Sequence, residues 1–125
     1  MTIQDAISIT DEMKPNMMSN MLKFKYLTEI EQLIHDEIVI RHEHPAEQDA
    51  KPVYNEDDDL LTELVVPDPY SMLYVYWLMT KIDMQNQEDA RYNIDRMHFE
   101  QAYATMSDWW TRNHLPVQTT REFRL

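Results

Sequence analysis

The sequence predicts an all-α fold: a small four-helix bundle with one short extended segment and a C-terminal tail. Three observations predict it. Apolar residues recur at three- and four-residue spacing over most of the chain, as on one face of a helix. A single stretch, residues 60–66, reads as extended instead. The length of 125 residues, with 43% hydrophobic and 27% charged, fits one domain with a real core. The domain is read as residues 1–114, with a long acidic loop at 41–59, and residues 115–125 as the tail.

The first helix starts at Thr2-Ile3-Gln4-Asp5. Thr2 is placed to accept from the amide three residues on, and an acid sits in the first turn. Ile3, Ile7 and Met13 give its apolar side. It stops near Lys14, because Pro15 disfavours helical angles in the residue before it.

A second helix is predicted from Met17 to Ile40. Met18, Leu22, Leu27, Ile30, Ile34 and Ile38 form its stripe, with Lys23, Lys25, Glu29, Glu31 and Glu37 between them. The β-branched run Ile38-Val39-Ile40 weakens its end. Residues 41–59 then read as a loop. Its length without regular structure suggests function or mobility. Leu60 to Val66 is extended, closed off by Pro67 and Pro69. Its backbone needs a partner, in the 38–40 region or in another chain.

Asp68-Pro69 reads as an acid cap followed by proline at the first helical position. The third helix runs from there to Met84. Tyr70, Leu73, Tyr74, Val75, Trp77, Leu78 and Ile82 cover nearly every side of it, so it should be the central one. Gln85-Asn86-Gln87 turns the chain into a fourth helix, 88–113, with a stripe of Tyr92, Phe99, Tyr103, Met106 and Trp110. So short a connection makes the last two helices antiparallel neighbours.

Composition excludes several function classes. The chain has no glycine, which removes the loops that cradle phosphates and the strained elbow of a nucleophilic serine. It has no cysteine, so neither a disulfide framework nor a thiolate metal site is possible. Met72 to Met79 is the longest apolar stretch, too short to span a membrane. The polar, acidic start lacks the pattern of a signal peptide.

The formal net charge is −12: residues 1–40 carry −4, 41–68 carry −7, 69–114 carry −2 and 115–125 carry +1. No basic face for nucleic acid is apparent. Its absence leaves two readings of the acid, solubility or a surface that repels DNA.

Individual motifs favour plain readings. His42-Glu43-His44 lacks the third and fourth ligands of a zinc site and reads as loop histidines. Glu56-Asp57-Asp58-Asp59 lacks the glycine and the alternation of a calcium loop, and reads as a solvated acidic turn. The aromatics at helical spacing read as core. Trp109 and Trp110 point about 100° apart, so one of them is a candidate for an intersubunit contact. No catalytic residue, cofactor site or metal site is identified.

The residues Leu64-Val65-Val66-Pro67-Asp68-Pro69-Tyr70, Leu73-Tyr74, Leu78-Met79, Ile82-Asp83, Asn86, Ala90-Arg91-Tyr92-Asn93, Phe99, Ala102-Tyr103 and Trp109 resemble a group of small phage and prophage proteins. These are the head–tail connector (neck, or adaptor) proteins of tailed bacteriophages of Gram-positive bacteria. Ala6-Ile7, Lys14-Pro15-Asn16 and Leu27 fit as well. The resemblance implies a non-enzymatic virion protein of the neck region, made in the host cytoplasm during assembly. It implies a homo-oligomeric ring of roughly twelve copies, closed by cyclic symmetry. That ring would contact the portal protein and the next neck or tail protein, and DNA would pass through it without specific binding.

On this reading Leu61, Leu64, Val65, Val66, Trp109, Val117, Arg121, Phe123 and Arg124 are the candidate interface residues. Glu56, Asp57, Asp58 and Asp59 are the candidate channel lining, since carboxylates repel phosphates. The alternative from another class is an acidic helical regulatory protein of the DNA-mimic or anti-repressor type.

Overall fold

The computed structural model describes residues 1–117; Arg121, Phe123 and Arg124 of the tail lie outside the described residues. Four α-helices make the fold: α1 (Ile3–Met13), α2 (Asn20–Glu37), α3 (Met72–Asn86) and α4 (Asp89–Asn113). The all-α class and the number of helices are as the sequence predicts.

The start of α1 is a reciprocal cap. The Thr2 hydroxyl accepts from the Asp5 amide at 3.0 Å, and the Asp5 carboxylate accepts from the Thr2 amide at 3.1 Å. The helix ends before Lys14, which is extended ahead of Pro15. The second helix is shorter than its spacing predicts. It begins at Asn20 because Ser19 caps it, accepting from the Leu22 amide at 3.2 Å. It ends at Glu37, and the β-branched run tightens into a 3-10 turn at Val39–Arg41.

The predicted start of α3 is corrected. Residues 67–70 form a turn closed by the Tyr70 amide on the Pro67 carbonyl at 2.9 Å, and the helix begins only at Met72. Asp68 accepts from the Ser71 hydroxyl rather than capping a helix at Pro69. At the far end Gln87 adopts left-handed angles (φ 57°, ψ 38°), and its amide reaches back to the Asp83 and Met84 carbonyls.

Central placement of α3 follows from its composition. It packs against α1, α2 and α4, and Leu73, Tyr74, Val75, Leu78 and Ile82 are buried. The aromatic pairs Tyr70–Trp109 and Trp77–Phe99 run in opposite chain order, so α3 and α4 are antiparallel. The core closes with Ile3, Leu27, Ile30, Ile34, Met106 and Trp110.

The extended segment finds its partner inside the chain, at the entry to α1. The Gln4 amide donates to Leu60 and the Leu64 amide to Met1, both at 2.9 Å, about a Thr2–Glu63 antiparallel bridge. Among the described residues β structure amounts to this bridge and one between His42 and Pro116.

Two residues of α2 assigned above to its polar side are buried, Lys23 and Glu31. Glu31 is the more consequential. Its carboxylate accepts from the Tyr74 hydroxyl of α3, from the Tyr54 hydroxyl at 2.9 Å and from the Val65 amide at 3.0 Å. The Tyr74 hydroxyl in turn accepts from the Val66 amide at 3.1 Å. One carboxylate thus joins α2, α3, the loop and the extended segment. Burial pushes its pKa above the ordinary value, against the opposing pull of Tyr74, Val65 and Tyr54.

A second polar joint ties α1 to the α3–α4 hairpin. The Lys14 ammonium pairs with Asp83, and lies 3.4 Å from Asp95 and 3.8 Å from Glu88. Asp83 is fully buried. Burial, then the neighbouring Asp95, raises its pKa while Lys14 opposes.

Two predictions follow from these joints. Glu31→Ala strands three donors and should cost about 2–4 kcal/mol in urea unfolding. Because the folded-state pKa of Glu31 lies above its ordinary 4.5, its stabilisation is full below that value and is lost as pH rises through the raised one. Wild type should therefore lose stability relative to Glu31→Gln over that interval, and a pH-independent difference contradicts the assignment. Lys14→Met leaves Asp83 and Asp95 uncompensated and should cost about 3–5 kcal/mol. Adding Asp83→Leu should restore part of that loss.

Candidate functional site

The surfaces singled out in the sequence fall into different places. Leu64 and Val66 are buried in the chain's own core, and Val65 packs partly against it with its amide held by Glu31. Their apolar side chains therefore serve intramolecular packing rather than a surface offered to a neighbour. Leu61 stands out at 79% exposure. Trp110 is buried, whereas Trp109 is half-buried. It stacks on Tyr70 with ring centres 4.9 Å apart and meets Trp110 edge-on at 5.8 Å. Tyr70 thus covers one side of the tryptophan that the sequence reading offers to a partner.

Val117 is exposed, and its amide donates to the Arg41 carbonyl at 2.9 Å. The Glu43 amide donates to Leu115 at 2.7 Å. These bonds flank the His42–Pro116 bridge and hold the chain beyond α4 against the start of the loop.

The acidic run forms a tight turn built on Asn55. The Asn55 side-chain carbonyl accepts from the Asp57 amide at 2.8 Å, and the Asp59 carboxylate accepts from the Asn55 amide at 2.6 Å. Glu56, Asp57 and Asp58 are exposed, and Asp59 is half-buried. Glu56 and Asp57 border a hollow beside Gln4, Ile7, Asn20 and Leu60.

The loop histidines are tethered to neighbouring backbone. His42 Nδ1 bonds the Ile38 carbonyl at 2.7 Å. His44 Nδ1 bonds the His42 carbonyl at 2.6 Å, and its Nε2 lies 2.7 Å from Asp49. The His42 carbonyl and then Asp49 hold the His44 pKa above its ordinary value. Both rings therefore shape the loop. No group of three or more metal-ligating side chains converges among the described residues.

A further concavity was not marked by the sequence. It has a volume of about 220 Å³ and lies between α2 and the loop, lined by Glu31, His35, Glu47, Tyr54 and Glu63 among others. The loop is laid along α2 by polar bonds: Gln32 to the Pro52 carbonyl at 3.2 Å, His35 Nε2 to the Gln48 carbonyl at 2.7 Å, and Lys51 to Asp36 at 2.8 Å. The other ring nitrogen, Nδ1, is buried without a hydrogen bond among the described residues and lies 3.7 Å from an Asp36 carboxylate oxygen. Glu31 already accepts three bonds from the protein. It acts as a clamp beneath the cavity, and Glu31 with His35 forms no nucleophile–base pair.

A signal for the buried carboxylate, though not for the cavity, was present in the sequence. Glu31 lies four residues after Leu27 and three before Ile34, hence on the apolar face of α2. An acid at such a position, followed by a tyrosine in the next loop and another in a helix, marks a buried hydrogen-bonded carboxylate.

The acidic turn allows a further prediction. Its side chains point to solvent, so Glu56→Gln/Asp57→Asn/Asp58→Asn should shift the unfolding free energy by no more than about 0.5 kcal/mol. A larger loss in urea titration would mean that these carboxylates hold the fold together.

Within the described residues, no helix is long and apolar enough to cross a membrane. Comparisons with protein-family models, with characterised proteins and with solved structures find no match to the chain.

Proposed function

We propose that the chain is a structural subunit of a phage neck ring, a head–tail connector that docks on the portal and continues the DNA channel towards the tail. The observation that carries the assembly reading is the outer side of α4. This helix packs mainly on α3, and Ile94 and Met97, one turn apart, are 53% and 51% exposed on its free side. Apolar residues at such spacing on an otherwise polar helix are what a neighbouring subunit would cover.

The neck assignment rests on the resemblance given above, carried by the residues from Leu64 to Trp109. Several of these, Leu64, Val66, Leu73, Tyr74, Leu78 and Ile82, are buried; they would set the shape of the subunit, while Leu61, Trp109, Val117 and the outer side of α4 would make its contacts. The exposed carboxylates of Glu56, Asp57 and Asp58 suit a wall past which phosphates move without sticking. The mechanism is assembly: apolar surface is buried between neighbours in a ring closed by symmetry.

The net charge of −12 favours one second reading, an acidic regulatory protein that occupies the DNA site of a binding partner.

The test is sedimentation with purified portal rings. Wild type should co-sediment, and Ile94→Lys/Met97→Lys should reduce the bound fraction at least about tenfold while unfolding at the same urea midpoint. A wild-type chain that stays free beside portal rings and neighbouring neck proteins, yet inhibits a DNA-binding enzyme, would replace the first reading with the second.

A further inference from the structure

We infer that the groove between α1 and α4 takes up an amphipathic helix of another protein, basic on the flank that faces α1 and seated with its N-terminus at Asp5 and Asp68. Three observations carry it.

The first is an uncovered side of the central helix. A helix apolar all round is ordinarily surrounded by protein. One stripe of α3, Met72, Tyr76 and Met79 at helical spacing, is nevertheless only half-buried. The helices α1 and α4 each pack on α3 and are not packed on each other. The stripe is therefore the floor of a groove. Ile9 of α1 shares a hollow with Met72, and Met13 and Ile94 share another with Met79. Met13 is 50% exposed and Ile94 53%.

The second is shape. Hollows of about 370, 230 and 370 Å³ follow one another along the stripe: beside Met72 towards α1, between Met72, Tyr76 and α4, and at Met79. Met72 and Met79 are about 10 Å apart along the helix axis. A guest helix of about three turns covers that distance and the hollow at either end. Such a channel takes a ridge of apolar side chains repeating every three or four residues. The methionines of floor and wall adapt their shape to it.

The third is charge. Asp5 and Asp68 line the Met72 end, and Glu12 lies one turn beyond Ile9; all three are exposed. Arg91 stands at the Met79 end with its side chain 70% exposed. Lys14 and Asp95 also border that end, but they lie 3.4 Å apart and answer each other. Bases on the guest's α1 flank meet the three carboxylates. The positive end of the guest's dipole belongs at Asp5 and Asp68 and its negative end at Arg91, which sets it parallel to α3.

The probe is a synthetic alanine-based helix with leucine on one face and lysine along one flank, about 18 residues so that it is helical alone. Titrated with the full-length protein and read by fluorescence anisotropy, it should half-saturate at about 100 µM or below. Glutamate in place of its lysines should weaken binding at least about tenfold. Met79→Glu should do the same at an unchanged urea midpoint. That variant adds an acid, so simple attraction to a net charge of −12 would leave binding as tight or tighter. Because the protein has no cysteine, introduced thiols report direction. A peptide with an N-terminal cysteine should form a disulfide with Thr105→Cys, at the Met72 end, at least about tenfold faster than with Ile94→Cys.

No binding would overturn the inference, as would indifference to Met79→Glu or to the sign of the peptide's flank. Equal rates for the two thiols would overturn it too. So would a protein that self-associates and is dissociated by Met79→Glu, because the occupant would then be a second copy. The inference does not rest on the neck assignment: the titration is read without portal rings, and the failure of either leaves the other standing.

Discussion

One buried carboxylate holds this small protein together. Glu31 stands at the centre of a stripe that otherwise reads Leu27, Ile30 and Ile34, and its three donors come from α3, the loop and the extended segment. An isolated carboxylate so placed would be ruinous; accepting three hydrogen bonds makes it tolerable and converts the cost into specificity. The bonds fix where residues 54 and 65 must lie. Everything between them, including the acidic turn, is thereby held at a set place against α1 and α2.

The remaining architecture follows from the helix at the centre. With α3 surrounded by α1, α2 and the Glu31-bound segment, α4 has one helix left to pack on. Its other side stays at the surface, carrying Ile94 and Met97. The Lys14–Asp83–Asp95 joint ties the hairpin of α3 and α4 to the end of α1, and the Tyr103 hydroxyl of α4 donates to Glu37 of α2 at 2.8 Å.

Much of this was legible in the sequence, for reasons that can be named. Thr2 with Asp5, Pro15, and the all-round apolar character of residues 72–82 fix two helices through local chemistry, and local chemistry is what a sequence displays directly. The start of α3 was misplaced because Asp68-Pro69 has the composition of a helix start, yet the turn bond from Tyr70 to Pro67 and the Asp68–Ser71 contact claim those residues first. The partner of residues 60–66 was hidden because it lies some sixty residues away, at the entry to α1. The burial of Lys23 and Glu31 was missed because charge was taken to mean solvent, although both fall on the Leu27 face at i−4 and i+4. As for the site, Leu61 and Val117 are exposed as expected, while Leu64 and Val66 belong to the interior. The cavity beside Glu31 could not be seen, since its walls come from a helix and a loop that only polar bonds bring together.

The most direct test of the Glu31 clamp is amide hydrogen exchange in the native protein. The Val65 amide, donated to Glu31 from a segment with no ladder of its own, should exchange about as slowly as amides in the middle of α3 such as that of Leu78, by global unfolding. Exchange as fast as that of the exposed Val53 amide would contradict the account, because the loop and extended segment would then open freely and the carboxylate would not be what holds them.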